Sequence, residues 1–103
     1  MSAGLSPTLD DLACQIIEWQ AVTFPTVTAA ASVEHLQREA RELAADPTDA
    51  EEAADVFLML LSAVERAGIG LDGFRRAVAD KLAKNKARIW KAPDAHGVVE
   101  HHS

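Results

Sequence analysis

Glu39 and Glu42 stand three residues apart, nine residues separate Glu42 from Glu52, and Asp55 follows Glu52 by three. Residues three apart on a helix share a face, so E-x-x-E and E-x-x-D each set two carboxylates on one side of a helical segment. If the two segments fold back on each other at Asp46-Pro47, all four carboxylates meet. Like charges that close repel, and without a cation some would have to stay protonated. A hard divalent cation removes the conflict, and Mg²⁺ is satisfied by a few carboxylates together with waters and phosphate oxygens. The competing reading is a solvated acidic face.

A second set has the opposite charge. Seven of the ten Lys and Arg residues (Arg75, Arg76, Lys81, Lys84, Lys86, Arg88 and Lys91) fall in the last predicted helix or at its end. Lys81, Lys84 and Arg88 follow one another at spacings of three and four. Such a row suits phosphate oxygens, with Arg able to bind in a bidentate manner, although a basic helical face is also an ordinary solvated surface. Asn85 falls between Leu82 and Ile89 in an otherwise apolar stripe, where a buried amide needs partners. Near the start, Trp19 and Gln20 are either core-edge residues or the lining of a pocket for a flat heteroaromatic group. The sequence has no Gly-rich phosphate loop, no Cys/His zinc spacing and no Ser-His-Asp set.

The elements that carry these residues are helical. Of 103 residues 49% are apolar, Tyr is absent and β-branched residues thin out after Thr28, which favours helix over sheet. One domain is expected, with residues 1–8 and 94–103 as tails. Thr8 is the expected N-cap of a first helix, Leu9 to about Val22, with Leu9, Leu12, Ala13, Ile16 and Gln20 on one face. Pro25 ends it. A second helix begins between Thr28 and Ser32 and runs to about Ala45, with Val33, Leu36, Ala40 and Leu43 as its stripe and Glu39 at the border. Thr48 and Glu51 match a capping box for a third helix, about Asp49 to Ala67. From Val56 to Leu61 that helix is apolar on nearly every side, so it is surrounded either by its own domain or by a partner chain, and in so short a protein a shared interface is the favoured reading. Gly68 is the expected left-handed cap, and a last helix runs from Leu71 or Asp72 to Trp90. Four antiparallel helices result.

The longest apolar run, Val56–Leu61, is far short of the roughly 20 residues of a membrane span. A net charge of −6 argues against a general nucleic-acid binder. A single cysteine, Cys14, and the lack of a signal-like start suit a reducing, cytoplasmic setting.

The fuller pattern resembles the MazG-like all-α nucleoside triphosphate pyrophosphohydrolases, and most closely their small dATP/dGTP pyrophosphohydrolase branch. The likeness rests on His35-Leu36, Glu39-x-x-Glu42, Asp46-Pro47, Glu52-x-Ala54-Asp55-Val56 and Arg66-Ala67-Gly68. It continues through Lys81-Leu82-x-Lys84-Asn85-x-x-Arg88-x-Trp90 to Gly97-Val98-Val99-Glu100-His101. Arg38 departs from the pattern, standing where an acid or Lys often precedes the first Glu, and is expected to point outward. The resemblance implies hydrolysis of a (deoxy)nucleoside triphosphate to monophosphate and pyrophosphate, with Mg²⁺ held by Glu39, Glu42, Glu52 and Asp55. It further implies phosphate contacts from Lys81, Lys84 and Arg88, and base or sugar contacts from Asn85, Trp19, Gln20 or Trp90. A homodimer or homotetramer whose sites are completed by a neighbour is also implied. The alternative is a non-catalytic oligomerisation or nucleotide-sensing module of the same fold.

Overall fold

The computed structural model describes residues 6–88 together with Gly97 and Val99. Four helices, α1 (Leu9–Thr23), α2 (Ala29–Ala45), α3 (Ala50–Arg66) and α4 (Gly70–Ala87), account for the regular structure, with no strand among the described residues. The all-α expectation is met. Trp90, placed at the end of the last helix by sequence, lies outside the described residues, as does most of the tail. No helix among the described residues is long and apolar enough to cross a membrane.

Local chemistry explains the boundaries. The Thr8 hydroxyl accepts from the Asp11 backbone N–H at 3.0 Å, and the Asp11 carboxylate accepts from the Thr8 N–H at 3.2 Å, a reciprocal capping box that starts α1. Thr28 caps α2 in the simpler way, accepting from the Ala31 N–H at 3.1 Å. At the α2–α3 turn the sequence expectation is corrected: Asp49, not Thr48, is the N-cap, and its carboxylate accepts from the N–H groups of Glu51 and Glu52. Thr48 is engaged elsewhere, since its hydroxyl donates to Asp46 Oδ1 at 2.8 Å. The Asp46 side chain thus folds the turn around Pro47 and takes the hydroxyl that would otherwise have capped. After α3, Gly68 adopts φ +81°. Its N–H donates to the Glu65 carbonyl while Ile69 N–H donates to the Val64 carbonyl, the paired bonds of a Schellman stop.

The chain divides into two compact units, Met1–Asp72 and Gly73–Ser103. In the first, α2 packs along α3 as an antiparallel hairpin and α1 lies against α3. The inward row of α2 is Ser32, Leu36, Glu39 and Leu43, at spacings of four, three and four. Val33 is 43% exposed and Ala40 is exposed, so the expected stripe is rotated and Glu39 is a member of the inward row. Leu9 and Leu12 of α1 are likewise exposed; the face α1 buries runs from Ala13 through the half-buried Ile16 and Ile17 to Gln20.

The core is small and partly polar. Ala13, Leu61, Ala63 and Val64 are buried beside Gln20, Ser32 and Ser62. Buried polar groups are tolerated when they are hydrogen-bonded, and here Ser32 Oγ and Ser62 Oγ lie 2.7 Å apart. Arg66 extends the network, donating to Ser62 Oγ at 2.9 Å, to the Val27 carbonyl at 2.7 Å and to the Gln20 carbonyl at 3.2 Å. One guanidinium therefore ties the end of α3 to the last turns of α1 and to the connection before α2.

Candidate functional site

The Ser32–Ser62 contact sets the register of the α2–α3 hairpin. Continuing that register toward the turn, in steps of seven and then three, places Glu39 level with Asp55 and Glu42 level with Glu52. Oxygens of Glu39, Glu52 and Asp55 accordingly lie within 4.8 Å of one another. Three of the four expected acids form this tight group. Glu42, exposed on α2, flanks Glu39 and Glu52 without belonging to it.

Electrostatics record the crowding. Burial raises the pKa of Glu39 above the ordinary carboxyl range, the neighbouring Glu42 and the charge of Asp55 push it the same way, and the His35 hydrogen bond pulls against them. Burial also raises Glu52, followed by the charges of Glu42, Asp49 and Asp55. One oxygen on each, Glu39 Oε2 and Glu52 Oε2, is buried with no hydrogen-bond partner among the described residues. A buried carboxylate oxygen without a donor is costly. Two of them, converging with Asp55 in an all-oxygen donor set, fit a hard divalent cation.

His35 is the residue whose part at this site the residue-by-residue reading missed. Its Nε2 lies 3.0 Å from Glu39 Oε1, so it holds one oxygen of the carboxylate, while the other is buried with no hydrogen-bond partner among the described residues. The i,i+4 spacing from His35 to Glu39 was the available signal. Arg38 points away as expected, paired with Glu34 at 3.3 Å on an exposed surface.

A cleft of about 140 Å³ is lined in part by His35, the residue whose ring nitrogen meets Glu39. Gln20, Phe24, Ser32, Met59 and Arg66 contribute to its walls, which are mainly apolar. Of the residues expected on the base side, Gln20 lines this cleft and is 3% exposed. Trp19 is 52% exposed and meets the cleft residue Phe24 edge-on, with ring centroids 5.5 Å apart. Lys81, Lys84 and Asn85 lie on α4, with Arg88 just beyond its end. Within that unit Arg88 donates to Asn85 Oδ1 at 3.4 Å. Trp90 lies outside the described residues.

The family described as dATP/dGTP pyrophosphohydrolase matches residues 12–102. A dATP/dGTP diphosphohydrolase of Salmonella phage PMBT28 is 38% identical over 85 residues, 82% of this chain and 28% of that protein. The Eaa protein of Salmonella phage P22 is 42% identical over 76 residues, 74% of this chain and 24% of that protein. The chain thus spans about a quarter of the length of the curated relatives it matches. Among solved structures, the cyanophage S-2L MazG-like pyrophosphohydrolase, bound to dGDP and three catalytic Mn²⁺ ions per active site, superposes with a TM-score of 0.77 at 28% identity. That match covers 95% of this chain and 100% of the cyanophage chain.

Proposed function

The chain belongs to the dATP/dGTP pyrophosphohydrolase family, and from that premise we propose that it hydrolyses a deoxypurine nucleoside triphosphate to the monophosphate and pyrophosphate. The observation that carries the proposal is the convergence of Glu39, Glu52 and Asp55 oxygens within 4.8 Å, two of the three residues having a buried oxygen with no hydrogen-bond partner among the described residues.

In this reading Glu39, Glu52 and Asp55, with Glu42 alongside, would hold Mg²⁺. What a bound cation supplies is charge neutralisation on the phosphates and a more acidic coordinated water. The chain's own residues do the rest. Glu39 or Glu42 orients the attacking water and accepts its proton on a carboxylate oxygen, while His35 keeps Glu39 from turning away. Water adds at phosphorus, the α–β anhydride bond breaks, and pyrophosphate leaves. Lys81, Lys84 and Arg88 hold phosphate oxygens, and Asn85, Trp19, Gln20 and Trp90 contact base or sugar. Phosphoryl chemistry of this kind asks for positioning and charge stabilisation more than for covalent help from the protein.

The working form is a homodimer or homotetramer in a cytoplasmic setting. Val56 to Leu60 on α3 remain only half-buried within one chain, which supports a second copy covering them. A panel of the four dNTPs with Mg²⁺, read for pyrophosphate and for phosphate, tests the activity. Pyrophosphate release from dATP or dGTP is expected; phosphate release instead, or no turnover of any nucleotide, overturns it.

A further inference from the structure

Arg66 of α3 holds both ends of one short loop. Its guanidinium donates to the Gln20 carbonyl, in the last turn of α1, at 3.2 Å and to the Val27 carbonyl, just before the Thr28 cap of α2, at 2.7 Å. A third bond, from Nε to Ser62 Oγ at 2.9 Å, anchors the fork on its own helix. A guanidinium only donates and a carbonyl only accepts, so both backbone bonds run from Arg66. α1 has no basic residue in its last turn, and Arg66 supplies the cation that a helix C-terminus favours. Between the two held carbonyls the chain turns through Phe24, Pro25 and Thr26. The backbone bond inside that turn, Val27 N–H to the Phe24 carbonyl, is long at 3.4 Å. Phe24 and Val27 are 44% and 37% exposed, so the turn has little packing of its own. Both nevertheless line the cleft of about 140 Å³, and the wall they form is only as fixed as the two carbonyls beside it.

We propose that Arg66 is a positioning residue for substrate: by clamping the Gln20 and Val27 carbonyls it sets where Phe24 and Val27 stand, and so how tightly the nucleotide is held. The inference rests on the nucleotide-hydrolysing reading above for the occupant of the cleft. Arg66 acts through the loop and takes no part in the chemical step, which belongs to the carboxylates of α2 and α3. A lysine in its place keeps the charge and reaches one acceptor, but a single ammonium on a flexible stem does not hold two carbonyls and the Ser62 hydroxyl in one fixed fork. With the clamp gone, a bound nucleotide must order the loop itself, and that cost comes out of its affinity.

The test compares wild type, Arg66→Lys and Thr8→Ala, the last removing the cap at the far end of α1 as a measure of general destabilisation. Trp19 meets Phe24 edge-on with ring centroids 5.5 Å apart, so the Trp19 ring-proton resonances of the ligand-free chain report where Phe24 stands. They are expected to move in Arg66→Lys and to stay in place in Thr8→Ala. Calorimetric affinity for the uncleavable α,β-methylene derivatives of dATP and dGTP, with Mg²⁺ present, is expected to fall about fivefold to tenfold in Arg66→Lys, the cost of ordering two loop side chains on binding. Mn²⁺ alone, followed by electron paramagnetic resonance, is expected to bind both variants as it binds wild type, and kcat for dATP and dGTP is expected to hold within about twofold. Unmoved Trp19 resonances, an unchanged nucleotide affinity, a parallel loss of Mn²⁺ affinity, a loss carried by kcat, or the same changes in Thr8→Ala each overturn the assignment. Weaker nucleotide binding in Arg66→Lys beside a wild type that cleaves no nucleotide keeps the assignment and removes the hydrolytic reading. A wild type that binds neither nucleotide removes both.

Discussion

His35 Nε2 sits 3.0 Å from Glu39 Oε1, one helical turn away on α2, while Glu39 Oε2 is buried with no hydrogen-bond partner among the described residues. A partner that fixes the orientation of a metal-binding side chain commonly contributes 10–100-fold to metal affinity. His35→Ala is therefore expected to weaken Mn²⁺ binding by about tenfold or more, measured by electron paramagnetic resonance titration. His35→Gln, whose amide nitrogen reaches a similar position, is expected to recover much of that loss. Equal affinities in wild type and His35→Ala would show that Glu39 needs no support.

The raised pKa values of Glu39 and Glu52 carry a sign. The folded chain keeps protons on these groups after the unfolded chain has released them. Their contribution to stability therefore falls as pH rises from the ordinary carboxyl value of about 4.3 through the raised folded values. With a chelator present, Glu52→Gln is expected to melt with wild type at about pH 4 and above it at neutral pH. Saturating Mg²⁺ reverses the order, because a cation that binds the folded state stabilises it by mass action and the amide is the poorer ligand. A wild-type advantage at neutral pH without metal would contradict the crowding.

Ser62 accepts from Arg66 and shares a hydrogen with Ser32. Ser62→Ala is expected to lower unfolding free energy by about 1–3 kcal/mol, the cost of leaving buried polar groups unpaired. Ser32→Ala should cost less, since Ser62 keeps its contact to Arg66. Urea denaturation of both variants checks the ranking.

Arg66→Lys keeps the charge and loses the fork that reaches Ser62, Val27 and Gln20 together. The Gln20 carbonyl keeps the Phe24 N–H and the exposed Val27 carbonyl is open to water, so a loss of about 1 kcal/mol is expected. The same urea titration reads it, and a neutral outcome would show that the latch is replaceable by a single ammonium.

Phe57 belongs to the half-buried stretch of α3. Phe57→Asp is expected to shift the protein to monomer in light scattering after gel filtration, since a charge at a covered apolar position is poorly tolerated. A wild-type chain that is already monomeric would remove the oligomer from the proposal.

Local chemistry alone determined the positions of the helices. Thr8 and Thr28 cap as their types require, Pro25 and Pro47 interrupt, and Gly68 supplies the positive φ that ends α3. The spacing of the acids also fixed which pairs share a helical face, because i,i+3 neighbours depend only on the geometry of one helix. Tertiary contact decided the rest. Whether Glu39 meets Asp55 depends on the register between α2 and α3, which the Ser32–Ser62 contact holds from thirty residues apart. Glu39 entered the inward row, Leu9 and Leu12 stayed outside, and Gln20 acquired a fixed amide from Leu58, 38 residues away. Propensity and periodicity act within a turn or two of chain. Register, burial and the choice of hydrogen-bond partner are set by surfaces that meet only once the chain has folded.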